Sequence, residues 1–282
     1  MALPLDKLGA KFDVGSSILS AEKAREYALA TNDGNALYAT GRYAPPVFGV
    51  VPTWSAMVAA VEGVVPPDAQ KRIVHGERDM HFHAPLIPGM RLHSESEAHS
   101  WRVGSSSTRY TIRIISRDDS GNLVLDQYVT MFIQKENTGE SAGPDKPDHG
   151  FPDAARANEL CLRSCHIDAD QTYRYRDASG DNMPIHIDDA FAKRVGLPGI
   201  IVHGLCTMAM NGHAVIDGLA GGDPARLKRL AVRWSKHVLP GTDLVTRIYD
   251  GGTDGDRRIL AFESTSEGSL VVTNGRAEIL TA

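Results

Sequence analysis

Cysteine is scarce: Cys161, Cys165 and Cys206 are the only three in 282 residues. Three thiols cannot all pair with one another, and a chain of this length builds a core without disulfides, so a disulfide-stapled scaffold is excluded. The Cys161-x-x-x-Cys165-His166 cluster lacks a second ligand pair at a zinc spacing, and no metal is expected. No run approaches the roughly 18 to 20 apolar residues of a membrane helix. The start, Met1-Ala2-Leu3-Pro4-Leu5-Asp6-Lys7, has no long apolar stretch of the secretory kind, so a cytoplasmic protein with no membrane partner is expected. Positive charge is also short. The formal net charge is −5, and without a clustered basic footprint a nucleic-acid partner is not expected. Neither a GxGxxG nor a phosphate-loop pattern occurs, which removes the usual signs of a nucleotide cofactor; none is expected.

What is present is an ordinary globular composition, 42% hydrophobic and 23% charged, enough for one large domain or two of usual size. The order of segments repeats. Ser20 is a plausible N-cap for a helix through Tyr27 that runs into Thr31-Asn32-Asp33-Gly34. In the second half a short helix over 168–175 runs into Ser179-Gly180-Asp181-Asn182. A Pro-rich stretch, 44–53, then leads to a helix with Trp54, Met57, Val58 and Val61 on one stripe; its counterpart, 197–203, leads to a longer helix carrying Leu205, Met208, Ala209, Gly212, Val215, Ile216 and Leu219. Both stripes read as core. Segments 80–89 and 232–241 each have an aromatic centre and close on Pro-Gly, as strands ending at a turn. Alternating segments follow in each half: 109–115 and 123–134, then 243–250, 259–265 and 270–279.

The stretch between the halves is rich in Gly, Pro, Asp and Lys and reads as a linker. The expected division is 1–135, linker 136–153, and 154–282. Each half is one long apolar helix followed by an antiparallel meander. A sheet curled round that helix is the simplest way to bury it, an α+β architecture used twice.

The chemistry is expected at Ser179-Gly180-Asp181-Asn182-Met183-Pro184-Ile185-His186, followed by Ile201-Val202-His203-Gly204. A carboxylate and an imidazole five residues apart, with Gly before and Pro between, indicate an irregular loop rather than a helix face. On spacing alone they remain readable as a turn residue and a structural histidine. The helix after Gly204 begins with backbone N–H groups that have no partner inside the helix, a ready site for developing negative charge. An acid/base pair beside such a site is the outfit for adding water next to a carbonyl.

The element order resembles the hot-dog fold over nearly the whole chain, giving a tandem, or double, hot-dog. The stretch 175–206 resembles the MaoC-like, (R)-specific enoyl-CoA hydratases, whose pattern is Ser/Thr-Gly-Asp, one residue, Asn-Pro-Leu/Ile-His, then Val/Leu-His-Gly downstream. Asp181, Pro184, His186 and Gly204 fall in register. Met183 departs from the pattern by occupying the usual Asn slot, with Asn182 one place earlier. The resemblance implies that Asp181 and His186 hold one water and that the Gly204 N–H serves as oxyanion donor. No side chain obstructs the oxygen there.

Around the pair, Ser179, Asn182 and His203 are candidate supports: Asn182 turns its amide to the site or merely caps the turn, and His203 is structural or a partner of the pair. The substrate implied is an acyl-CoA or acyl-carrier-protein thioester. Arg226, Lys228, Arg229 and Arg233 form the densest basic cluster, either a solvated face or a CoA-phosphate contact. In the first half Asp33 aligns with Asp181, but Tyr38 stands where His186 would be. One active site per chain is therefore expected, with the first half shaping the acyl pocket and the chain forming a homodimer. Two other readings are an acyl-CoA thioesterase and a non-catalytic acyl-thioester binding protein.

Overall fold

The computed structural model describes residues 4–137 and 139–281. In chain order the main elements are β1 (Lys11–Ile18), α1 (Ala21–Ala30), α2 (Ala36–Ala39), α3 (Trp54–Val64), α4 (Pro67–Gln70), β2 (Ile73–Phe82), β3 (Arg91–Val103), β4 (Ser107–Arg117) and β5 (Leu123–Gln134). Then come β6 (Glu159–His166), α5 (Gln171–Ser179), α6 (Asp189–Arg194), α7 (Gly204–Leu219), β7 (Leu227–Trp234), β8 (Asp243–Asp254), β9 (Arg257–Ser266) and β10 (Ser269–Leu280). No helix among the described residues is long and apolar enough to cross a membrane.

Two compact units result. The first takes the chain up to Ile18, Pro52–Ala84 and Met90–Asp148. Its antiparallel strands lie in the order β1-β3-β4-β5-β2. Helix α3 packs Ala56, Met57, Ala60 and Val64 into a cluster with Trp101, Tyr110, Ile112 and Val129. Trp54, Val58 and Val61, expected at the centre of the stripe, are only partly buried against that cluster. The alanines explain the rotation: small side chains let the helix backbone come closest to the sheet on their side.

The second unit takes Leu19–Val51, Pro85–Gly89 and His149–Ala282. Its strands lie in the order β7-β10-β9-β8-β6, the same sequence of neighbours as in the first unit when read by position in the repeat. Helix α7 is buried on nearly every side from Leu205 to Ile216, with His213 half-buried. A polar clasp ties it to the strands: Asn211 Nδ2 donates to Thr246 Oγ1 at 2.9 Å and Ser264 Oγ at 2.7 Å. This packing does not follow the contiguous division 1–135 and 154–282, because Leu19–Val51 and Pro85–Gly89 pack with the carboxy-terminal strands.

The duplication is visible in single hydrogen bonds. Gly89 N–H donates to Leu19 O and Gly241 N–H to Ile167 O, each at 2.8 Å, and both glycines hold positive φ, 91° and 79°. Tyr27 and Tyr175, separated by 148 positions, bring their hydroxyls to 3.2 Å. Asp33 and Asp181 stand the same distance apart in sequence. Around the tyrosines, Gln171 Nε2 donates to Ala30 O, and Asn32 Nδ2 donates to Gln171 Oε1 and to the His166 carbonyl at 3.0 Å. Helices α1 and α5 are thereby tied together. Helix α5 starts and ends three to four residues later than the spacing predicts, because Gly180 at φ 80° supplies the left-handed cap that returns its N–H to Arg176 O.

The clasp at Asn211 gives a stability prediction. Asn211→Ala removes two buried hydrogen bonds, and we expect urea denaturation to show a loss of about 2 kcal/mol, in the range for stranding buried polar partners.

Candidate active site

The loop after α5 is fixed by short-range bonds. Ser179 Oγ donates to Tyr175 O at 2.7 Å and accepts from Asp181 N at 3.2 Å. Asp181 Oδ1 accepts from Met183 N at 3.2 Å, closing an Asx turn. Pro184 then opens a single 3-10 turn, Pro184–His186, its fixed φ suited to a helix start. This turn carries His186 inward, to 8% exposure.

At that point His186 Nδ1 lies 2.7 Å from the Ile201 carbonyl, and Ile201 N–H donates back to Ile185 O at 3.1 Å. A carbonyl only accepts, so Nδ1 carries the proton and Nε2 is left with its lone pair. Burial holds this imidazole below the ordinary histidine range, against the upward pull of the Ile201 carbonyl and the Asp181 charge. Between the two halves of the site, α6 forms a flap capped by Asp188 Oδ1, which accepts from Phe191 N at 2.9 Å.

His203 closes the set. Its Nε2 lies 3.0 Å from the Asp181 carbonyl, and its ring stacks on His186 with centroids 3.8 Å apart and planes 26° apart. Burial, and then the neighbouring His186, push it down to about 3. Its Nδ1 is buried with no hydrogen-bond partner among the described residues, which costs about 1–3 kcal/mol. One oxygen or nitrogen each from Asp181, His186 and His203 lies within 4.8 Å of the others. That is also the spacing of a metal set. The stacked rings argue for another use, since in-plane lone pairs of stacked imidazoles run side by side rather than converging on one ion.

Gly204 follows as the first residue of α7, with His203 as its N-cap. The helix start is braced by Thr207, whose Oγ1 donates to Gly204 O at 2.7 Å and accepts from Trp234 Nε1 at 3.2 Å. A Cβ on Gly204 would lie 3.0 Å from Trp234 Cε2, so the indole occupies the space a side chain would need.

The chain was compared with known proteins on this footing. Residues 156–269 match the model of the MaoC-like domain, and residues 6–126 match the FAS1-like dehydratase domain region. The 3-hydroxyacyl-thioester dehydratase Y of Mycobacterium tuberculosis is 30% identical over 245 residues, covering 83% of this chain and 80% of that protein. The chain belongs to the MaoC-like dehydratase family. A probable enoyl-CoA hydratase 2 of Dictyostelium discoideum is 25% identical over 73% of this chain and 70% of its own length. Among solved structures, a MaoC-like dehydratase from Phytophthora capsici aligns with a TM-score of 0.89 at 22% identity, covering 99% of this chain and 98% of that one. A Mycobacterium tuberculosis protein described as having a double hot-dog fold aligns with a TM-score of 0.62 at 16% identity over 97% of this chain and 96% of that one. The tandem hot-dog fold expected from the sequence is the fold of this MaoC-like chain.

Other candidate residues of this MaoC-like dehydratase lie elsewhere. Asn182 is exposed and makes no hydrogen bond among the described residues, and Met183 beside it is 52% exposed. The basic cluster comes apart. Arg229 is buried and pairs with Glu278 at 3.2 Å, while Arg226 Nη2 donates to Leu280 O at 2.6 Å. Internal acceptors hold the Arg229 guanidinium and two nitrogens of half-buried Arg226. Successive residues of a strand point to opposite faces. Arg229 and Arg233 lie on the face of β7 opposite Trp234, while a bulge at Lys228, where Leu227 pairs with Ile279 and Arg229 with Glu278, interrupts the alternation. In the first repeat Asp33 is 8% exposed, accepts from Asn35 N at 3.1 Å, and has His213 Nε2 at 3.8 Å. Burial raises its carboxyl above the usual range. Tyr38 is buried, and its hydroxyl makes no hydrogen bond among the described residues.

Sequence order hides Thr207, Trp234 and Ile201 as parts of the site. The only signal for Trp234 was its matching position in the repeated strand.

The buried imidazoles set an acid sensitivity. A histidine in the unfolded chain titrates near 6.5, and the folded values of His186 and His203 lie lower, so below about pH 6.5 the unfolded chain binds more protons. Their contribution to stability is whole above that pH and is lost as pH falls towards the folded values. In His203→Phe, denaturation between pH 6 and pH 4 should show a pH slope shallower by about 1.4 kcal/mol per unit, the loss of one linked proton.

Proposed function

We propose that this chain catalyses the (R)-specific hydration of a trans-2-enoyl-CoA to the (3R)-3-hydroxyacyl-CoA, or the same step in reverse, as a hydro-lyase with one site per chain. The observation that carries the reading is the approach of Asp181 and His186 to within 4.8 Å, on opposite sides of a span that one water bridges with two hydrogen bonds of about 2.8 Å each. His186 Nε2, free because Nδ1 is engaged with Ile201, takes a proton from that water. The hydroxyl adds to C3, and a proton reaches C2 on the same face from the acid/base pair. The negative charge that develops on the thioester oxygen meets the Gly204 N–H at the start of α7. Ser179 supports the loop through its two bonds to the Tyr175 carbonyl and the Asp181 amide. No metal or cofactor enters this scheme.

The carrier is CoA or acyl carrier protein. With Arg226 and Arg229 held by internal acceptors, Lys228 is the member of the basic cluster to test first for phosphate contact. Fatty acid metabolism is the setting that an enoyl thioester implies. We further propose a cytoplasmic homodimer, which size-exclusion chromatography with light scattering tests by returning about twice the chain mass.

Loss of the crotonyl-CoA enoyl absorbance follows turnover directly. We expect Asp181→Asn and His186→Gln each to lower kcat by about 10²–10⁴, the usual worth of a positioned acid or base. Gly204→Ala, by forcing its new methyl against Trp234, should lower it by about 10². Asp33→Asn should leave the rate within about twofold, because its repeat has no imidazole at position 38; a loss as large as that of Asp181→Asn would refute the single site. Chiral analysis of the product should return the 3R isomer, and release of free thiol without hydration would identify a thioesterase instead.

A further inference from the structure

We propose that His203 is a positioning residue, which holds the Asp181 carboxylate and the His186 ring in register for the water they share. The inference rests on the reading of Asp181 and His186 as the acid/base pair, and it adds a third side chain that touches neither water nor substrate.

Three contacts carry it. The first is the bond from Nε2 to the Asp181 carbonyl at 3.0 Å. Since a carbonyl cannot donate, Nε2 bears the proton and the tautomer is set. This is the bond that ties the Asp181 peptide to the helix start across 22 residues of sequence; the other bonds of that loop are made within it or to Tyr175 and Ser179. The second is the stack on His186 at 3.8 Å. The third is Tyr175, whose ring lies 4.8 Å away at a tilt of 43° and whose hydroxyl is fixed by that of Tyr27. Both tyrosines are fully buried, so the ring of His203 rests on a wall that does not move with the loop.

Nδ1, without a hydrogen-bond partner among the described residues, sharpens the argument. A phenyl ring would fill the same place and stack in the same way without burying an unsatisfied nitrogen. What imidazole adds is one N–H, and that N–H is spent on the backbone of the residue carrying the acid. One ring therefore fixes both members of the pair, the carboxylate through its own peptide and the imidazole through its face. Misplacing a reacting group by about 1 Å costs about a hundredfold in rate, so a residue that never reaches the substrate can still set kcat.

The test uses three substitutions in the full chain, assayed with crotonyl-CoA and checked by thermal melting. His203→Phe keeps the ring and loses the donor. His203→Gln places an amide N–H near the position of Nε2, and His203→Asn places one too short to reach the Asp181 carbonyl. We expect Phe and Asn to lower kcat by about tenfold to a hundredfold with KM changed less than about threefold, and Gln to recover most of the loss. If all three keep the wild-type kcat, or if the loss falls wholly on KM, the positioning role is overturned while the acid/base pair stands, provided Asp181→Asn and His186→Gln remain inactive. Gln no better than Asn at equal melting temperature overturns it as well. Should Asp181→Asn or His186→Gln turn over normally, the pair itself fails and this inference fails with it. Because Gln and Asn differ by one methylene, their comparison decides the matter even where Phe does not fold.

Discussion

A backbone carbonyl decides which nitrogen of His186 is free. Ile201 O accepts from Nδ1 at 2.7 Å, and everything proposed for the site follows from the lone pair this leaves on Nε2. The carbonyl can do so because the flap between Pro184 and Ile201 folds back on itself, with Ile201 N–H returned to Ile185 O and α6 capped at both ends. Reversing that peptide would present a donor to the ring and exchange the tautomer. The His186 imidazole is thus oriented by main chain, while the Asp181 carboxylate is oriented by a turn of its own making.

The two repeats share strand order, the Pro-Gly closures and the tyrosines that meet between α1 and α5. They differ in what surrounds the aspartate. Asp181 is half-exposed and lies near two imidazoles, His186 and His203, whereas Asp33 is 8% exposed and has one imidazole, that of His213, at 3.8 Å. In the first setting a carboxylate is solvated and has a base to work with. In the second, burial disfavours its charge, and the phenol of Tyr38, itself pushed upward by burial, cannot serve as a base near neutral pH. The same backbone position therefore carries a half-exposed carboxylate in one copy and a buried one in the other.

Much of this was readable in the chain. The strand over 123–134 stands with the bounds its alternation predicts, and the meander of the second half needed only longer ends. Asp181 and His186 announce themselves by five-residue spacing across Gly and Pro. Strands β1 and β6 escaped because each pairs along one side only and shows mostly exposed side chains, so apolar alternation, the signal for a strand, is weak there. The pairing of Arg229 with Glu278 is hidden for a related reason: the two stand 49 positions apart and meet only across neighbouring strands. The link from His203 to Asp181 joins residues too far apart in sequence for any periodicity to reveal.

The manner in which α1 lies against α5 bears on how this polypeptide came to be one piece. Helix α1 precedes the linker, yet Ala30, Asn32 and Tyr27 furnish partners for Gln171 and Tyr175, which back the loop of Asp181. Severing the polypeptide in the linker would strip those partners from Gln171 and Tyr175 and uncover a tyrosine that is now entirely dry. The repeated halves are thus stitched into one piece by residues in and just after α1 that α5 cannot do without.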